Sequence, residues 1–210
     1  MAALDCSLLA DGALDVALLP ILKWVVRQHA AGVEVNFEWA DMRSLYKPPR
    51  TLVERILKAN ELYPCQVLFV HRDAESKPPA SRYQEVSEAV AAARHRGFLL
   101  PHVCVVPVRM QEAWLLLDES AIRRASGNPN GGMALTLPDP AGVECIADPK
   151  TTLHELLTRA SGLHGRRRKN FRPGVRTRLV TDHMRNFACL RALPGFQRLE
   201  TDVKRLITDL

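Results

Sequence analysis

The chain has 210 residues, of which 47% are hydrophobic and 25% are charged, and its formal net charge is +6. This composition is typical of a folded soluble protein and excludes a disordered one. No apolar run approaches the roughly 20 residues of a membrane span, and the start of the chain lacks the basic region of a secretory signal, so we expect a cytoplasmic protein. The five cysteines form no C-x-x-C pair, which favours reduced structural thiols over disulfides or zinc.

Apolar periodicity predicts an alternation of strands and helices in the first half of the chain. Strands are predicted at 6–10, 33–39, 66–71 and 102–108, and helices at 11–30, 51–62, 81–95 and 112–126. Short connections between alternating elements indicate an α/β fold with a mostly parallel four-stranded sheet and helices on both of its faces.

The second half of the chain has a different character, rich in loops and basic residues. We therefore predict a core at 1–127 and a helical extension at 128–210 that packs on this core. Helices are expected at 151–160, 181–192 and 196–210, and Pro149 suits the start of the first of them.

Acidic residues follow two of the predicted strands. Asp11 comes directly after the first strand and Asp15 one helical turn later, while Asp73 and Glu75 follow the third strand. If these strands are parallel neighbours, the four carboxylates converge and repel one another, and Mg²⁺ or Mn²⁺ would relieve the repulsion. The alternative is that Asp11 and Asp15 are helix-start acids and that Asp73 and Glu75 are ordinary loop acids.

Three further residues are candidates for the same edge of the sheet. Glu112 follows the fourth strand and would be a metal ligand or general base, or else a first-turn helix acid. Lys150 would stabilise negative charge on a phosphate, or else is a solvated lysine. His71 precedes Asp73 and would shuttle protons or contact phosphate, or else is structural.

A basic segment lies near the C-terminal third of the chain, at 165–178. It contains seven cations and no acid, which suits contact with a nucleic-acid backbone, and Phe171 among them could stack on a base. A solvated loop or a contact surface for an acidic protein is the alternative. The cations are Arg166, Arg167, Arg168, Lys169, Arg172, Arg176 and Arg178.

Two segments resemble the motifs of Toprim domains, which occur in topoisomerases, primases and overcoming-lysogenization-defect nucleases. The segment SLLADGALDVALLPIL resembles their acid-Gly-x-x-Asp opening, with Asp11 where Glu is commoner. The segment LFVHRDAES resembles their second acidic motif, with Glu75 in place of the commoner Asp. The HRDAE, EAWLL and DPK segments resemble, over nearly the whole chain, a large bacterial family of uncharacterised Toprim-like proteins.

The resemblance implies a metal-dependent phosphodiesterase that acts on nucleic acid, most simply a nuclease. Asp11, Asp15, Asp73 and Glu75 would hold Mg²⁺ or Mn²⁺, and Asp11, Asp73, Glu75, Glu112 and Lys150 would form the catalytic set. Some relatives are encoded beside ATPases in mobile or anti-phage loci, which implies an ATPase partner and a defence role; self-association is also open.

Two other functions compete with the nuclease. The first is a non-catalytic Toprim-like module that binds an ATPase, nucleic acid or both. The second, a small-molecule phosphohydrolase, is less favoured because the chain has no Gly-rich phosphate loop. Hydrolysis is favoured over strand transfer, because none of Tyr46, Tyr63 and Tyr83 has the context of a topoisomerase nucleophile.

Overall fold

The computed structural model describes residues 3–210. The described chain contains one four-stranded sheet, in which every neighbouring pair is parallel and the spatial order is β2-β1-β3-β4. The predicted α/β fold with a parallel sheet is therefore confirmed. The strands are β1 (Ala3–Leu9), β2 (Glu34–Trp39), β3 (Val67–His71) and β4 (His102–Val105).

The first and third strands along the chain are neighbours in the sheet, which is the condition for the predicted acids to converge. Cys6 of β1 is paired with Val67 of β3, and the register continues to Leu9 and Val70. Parallel neighbours end at the same edge, so the loops that follow β1 and β3 meet there.

Side chains alternate between two apolar cores, one on each face of the sheet. On β1, Leu4, Cys6 and Leu8 face one core, and Leu9 faces the other. All five residues of β3 are buried, as expected for a strand covered on both faces.

Nine α-helices surround the sheet within residues 3–210, and both of its faces are covered. Helices α2 and α3 contribute to the core on one face, while α1, α4, α6, α8 and α9 contribute to the core on the other. The helices are α1 (Leu18–His29), α2 (Leu52–Leu62), α3 (Pro79–Arg94), α4 (Glu119–Ala125), α5 (Pro140–Val143), α6 (Pro149–Ala160), α7 (Gly165–Asn170), α8 (Thr177–His183) and α9 (Pro194–Asp209).

Residues of the C-terminal helices pack on the sheet. Leu153 of α6, Val180 of α8 and Leu199 of α9 are fully buried in the core that also contains Leu8 of β1 and Leu22 of α1. Residues 128–210 thus share an apolar core with the first half of the chain.

The predicted helix at 11–30 is wrong in its first part. A 3₁₀ helix spans Ala13–Ala17, and α1 begins only at Leu18. Pro20 explains the difference, because proline has no N–H to donate and its ring clashes with the carbonyl four residues earlier unless it lies in the first turn.

The predicted helices at 112–126 and 181–192 are each divided. The first is a 3₁₀ helix, Gln111–Leu117, followed by α4, and the Asp118 side chain accepts a hydrogen bond from the Ala121 N–H at 2.9 Å as the N-cap of α4. The side chain of a capping aspartate bonds to a backbone N–H at the start of the next helix, which disfavours a continuous helix through the aspartate. In the second, α8 ends where Met184 becomes extended, and a 3₁₀ helix follows at Ala188–Ala192.

Strand β4 is shorter than predicted and ends at Val105. Pro107 cannot donate to a neighbouring strand, but its carbonyl accepts from the Ala74 N–H at 3.2 Å. Through this hydrogen bond, the loop after β3 lies beside the loop after β4. Across residues 3–210, no helix has the length and apolar character needed to cross a membrane.

Candidate functional site

The four acids predicted to converge line one surface cavity at the carboxyl edge of β1 and β3. The cavity has a volume of about 390 Å³. Its position, outside the carboxyl ends of parallel strands, is the usual ligand position in such sheets. It is lined by Asp11, Gly12, Asp15, His71, Arg72, Asp73, Glu75 and Arg82.

His71 lies between two of these carboxylates at the end of β3. Its Nε2 is 3.2 Å from Asp73 Oδ1, and its Nδ1 is 3.3 Å from Asp15 Oδ2. The second contact is an ion pair and not a well-aligned hydrogen bond, because Nδ1 has no hydrogen-bond partner in the described chain. The His71 side chain is only 2% exposed, so both acids are held by a group that water does not reach.

The pKa values at this triad follow from its burial and its charges. Burial alone would lower the pKa of His71, but the interactions with Asp15 and Asp73 outweigh burial and raise the pKa to about 9. Burial would raise the pKa of Asp15, yet its contact with His71 and the Gly12 N–H hold that pKa below its ordinary value. These two shifts favour a protonated His71 beside an ionised Asp15.

Gln111 connects the first acidic motif to the second. Its backbone N–H donates to Asp73 Oδ1 at 3.0 Å, and its side-chain Nε2 donates to Asp15 Oδ1 at 2.9 Å. Gln111 is buried, and it begins the 3₁₀ helix that follows β4. It thus fixes the position of Asp73 relative to Asp15.

Asp11 has cationic partners within the protein. The guanidinium groups of Arg55, from α2, and Arg72, from the loop after β3, each donate to one of its oxygens. Arg72 also pairs with Glu85 of α3 at 2.8 Å. The charge of Asp11 is compensated by these two arginines.

Glu75 is likewise paired, and its backbone is unusual. Its Oε2 accepts from Arg82 Nη2 at 2.9 Å, while Arg82 Nε donates to the Asp73 carbonyl, also at 2.9 Å. Glu75 and Arg109 both have positive φ, +56° and +66°, and the Glu75 N–H donates to the Arg109 carbonyl at 2.6 Å. Left-handed backbone at non-glycine residues is a local cost that concentrates at functional sites.

Glu112 lies at the same edge, as predicted from its position after β4. It is only 4% exposed. Burial raises the pKa of Glu112, the charges of Asp73 and Asp15 raise it further, and the charge of Lys150 opposes them. The N–H of Glu112 itself donates to the carboxylate and also lowers this pKa, and no other donor to the carboxylate is found among residues 3–210. Lys150 is exposed in the first turn of α6, close enough for its charge to act on Glu112.

The carboxylates at this edge differ in the hydrogen bonds and ion pairs that they already form within the protein. Asp11 and Glu75 have arginine partners, and Asp15 accepts hydrogen bonds from Gln111 and Gly12. Asp73 uses Oδ1 alone, and its Oδ2 accepts no hydrogen bond from the part of the chain that the structure describes. In that same part, no group of three or more His, Cys, Asp or Glu side chains is arranged to hold a metal ion.

Two cations of the basic segment contact other residues of the chain, and the other five are exposed without an ion pair in the described part of the chain. Arg176 donates to the Ala125 carbonyl at 3.1 Å and stacks on Phe171, which packs against the core. Arg178 lies 3.9 Å from Asp182. The remaining five are exposed and have no ion pair within residues 3–210; they are Arg166, Arg167, Arg168, Lys169 and Arg172.

Four residues of the site were not predicted from the sequence: Gln111, Arg55, Arg72 and Arg82. Arg55 and Arg82 lie on helices α2 and α3, and no local pattern distinguishes them from other surface arginines. Gln111 adjoins Glu112 directly after the fourth strand, and that position could have indicated it.

Comparison of the chain with protein-family models, with curated proteins and with solved structures found no match in any of the three. The Toprim-like resemblance and the role it implies therefore stay predictions.

Proposed function

We propose that the protein is a divalent-metal-dependent phosphodiesterase that acts on nucleic acid, in the simplest form a nuclease. The observation that carries this proposal is Asp73 at the carboxyl end of β3. Its Oδ1 is fixed by His71 and Gln111, while its Oδ2 is free of protein donors within residues 3–210, and buried Glu112 lies near it.

The chemistry of these donors fits Mg²⁺ or Mn²⁺. Both ions prefer oxygen ligands, and Oδ2 of Asp73 and the carboxylate of Glu112 are of that kind. Like charge and burial raise the pKa of Glu112, and a cation beside it would reverse that shift. Asp73 and Glu112 would be the first ligands, and Asp11, Asp15 and Glu75 would join if their present partners release them.

The roles of the surrounding residues follow from their contacts. A bound Mg²⁺ or Mn²⁺ would supply Lewis-acid activation of the phosphodiester and of water. His71 and Gln111 hold Asp73 in one orientation. The charge of Lys150, at the start of α6, would stabilise the negative charge that develops on the phosphate. The exposed cations of α7 would contact the backbone of the nucleic acid.

A cleavage assay tests the proposal. End-labelled single- and double-stranded DNA and RNA are incubated with the protein in Mn²⁺, in Mg²⁺ and in EDTA. We expect cleavage of at least one substrate that requires the ion and falls to background in Asp73→Asn. Asp5→Asn is the matched control, because Asp5 is exposed at the opposite end of β1. Full activity of folded Asp73→Asn would contradict the proposal.

A second function, a non-catalytic module that binds nucleic acid or an ATPase, is favoured by one observation. Arg55 and Arg72 compensate the charge of Asp11, so that this acid has no need of a metal ion. For the module, Mn²⁺ would leave the melting temperature unchanged and nucleic acid would raise it. For the enzyme, Mn²⁺ would raise it, and Asp73→Asn would remove the effect. The ATPase partner and the defence role stay predictions.

A further inference from the structure

A second cavity adjoins the acidic one, beyond the end of β2. Its volume is about 240 Å³, and Asp11 lines both cavities. Its wall includes Trp39, the last residue of β2, and Arg43, Arg50 and Arg55. An aromatic ring and three guanidinium groups therefore lie directly beside the proposed catalytic edge.

Arg43 forms a flat platform in this cavity. Its guanidinium carbon lies 4.4 Å from the centroid of the Trp39 ring. Two hydrogen bonds of 2.7 Å to Asp41 fix the plane of the guanidinium group. The Arg43 side chain is 51% exposed, so solvent and ligands reach it. Arginine planes stack on nucleobases as aromatic rings do.

The loop that carries this platform is basic and has a further exposed aromatic ring. Residues 40–51 contain three cations, Arg43, Lys47 and Arg50, and one acid, Asp41, which pairs with Arg43. Tyr46, on the same loop, is 96% exposed. Sites that bind single-stranded nucleic acid usually combine basic side chains with exposed aromatic rings. By contrast Phe171, in the basic segment, is already covered by Arg176.

We infer that the Trp39–Arg43 stack and the β2–α2 loop form a base-stacking subsite for a single-stranded or unpaired nucleotide next to Asp11. The base lies on the outer face of the Arg43 guanidinium, and Arg50 contacts the neighbouring phosphate. A duplex buries its base faces in its own stack, so this subsite selects unpaired nucleotides. The inference rests on the proposed action on nucleic acid and names the substrate class of that site.

Fluorescence anisotropy in EDTA tests the subsite without cleavage. The probes are a labelled single-stranded oligothymidylate of about 12 nucleotides and an abasic strand of equal length, which has the same phosphates and no bases. We expect the wild-type protein to bind the thymidylate about tenfold more tightly than the abasic strand, the size of one stacked base.

Variants of Arg43 separate stacking from charge. Arg43→Lys keeps the charge and lacks the plane, so it should lose most of the preference for the thymidylate and keep its affinity for the abasic strand. Arg43→Ala should lose the preference as well. Arg94→Ala, an exposed arginine in the last turn of α3, is the control and should keep it.

Several results would overturn the subsite: equal affinity for both probes, no binding of either, or a preference that survives in Arg43→Lys. The proposed function is judged separately. If Asp73→Asn loses cleavage and keeps the preference for the thymidylate, both proposals stand. If the wild type binds with this preference but cleaves nothing, only the nuclease fails.

Discussion

His71 and Asp73, two residues apart at the end of β3, are joined by a contact of 3.2 Å between Nε2 and Oδ1. Because His71 is buried and also pairs with Asp15, His71→Phe would leave a buried carboxylate without its counter-charge. We expect the free energy of unfolding to fall by about 3–5 kcal/mol, measured by urea denaturation. His95→Phe, at an exposed position after α3, should change it by less than about 0.5 kcal/mol. Equal effects of the two variants would contradict the buried triad.

The amide of Gln111 is the side-chain donor to Asp15 Oδ1. Gln111→Leu keeps the volume and removes that donor, so the free energy of unfolding should fall by about 1–3 kcal/mol. Gln84→Leu, on the exposed face of α3, is the matched control, and its effect should be near zero. If Gln111→Leu is as stable as the control, Gln111 does not hold the two motifs together.

The exposed cations of α7 and the engaged Arg176 should behave differently. Replacing Arg166, Arg167, Arg168 and Lys169 by alanine should weaken nucleic-acid binding. The slope of log affinity against log salt should also fall, by about 0.7 for each phosphate of a single strand that the variant no longer neutralises. Arg176→Ala should instead destabilise the fold by about 1 kcal/mol, because it removes the hydrogen bond to Ala125. A salt slope that the α7 variant leaves unchanged would exclude this helix from the interface.

The Asp41–Arg43 pair predicts a defined pH dependence. Hydrogen bonds from Arg43 lower the pKa of Asp41 to about 2. Because the folded-state pKa is depressed, the pair stabilises the loop above about pH 3.8 and loses this effect as the pH falls through about 2. An NMR titration of the Asp41 carboxyl group should show the low pKa, and Arg43→Ala should raise it towards the ordinary value. An ordinary pKa of Asp41 in the wild type would mean that its hydrogen bonds do not hold the Arg43 guanidinium in place.

The strands of the sheet and the acids that follow them could be predicted from the sequence, because both depend on local patterns. The buried run of β3 and the alternation in β2 are visible over a few residues. That Asp11 and Asp73 share one edge depended on the assumption that β1 and β3 are parallel neighbours, and the structure pairs these two strands.

The arginine partners and the interruptions of helices could not be predicted in the same way. Arg55 is 44 residues from Asp11 along the chain, and only the packing of α2 beside β1 brings them together. The helix predicted at 11–30 overlooked Pro20, and the one predicted at 112–126 overlooked the capping role of Asp118. In both places the chemistry of a single residue, the missing N–H of Pro20 or the capping side chain of Asp118, outweighed a regular apolar period.

The proposed phosphodiesterase requires that Mn²⁺ bind at Asp73, and calorimetric titration of the purified protein with Mn²⁺ measures this binding. Asp73→Asn keeps the size of the side chain and removes its charge, while Asp5→Asn makes the same change at the far end of β1. We expect saturable binding of Mn²⁺ in the wild type and in Asp5→Asn, and loss of this binding in Asp73→Asn while circular dichroism shows that the fold is retained. Equal Mn²⁺ binding by Asp73→Asn and the wild type, or no binding by either, would contradict the proposal.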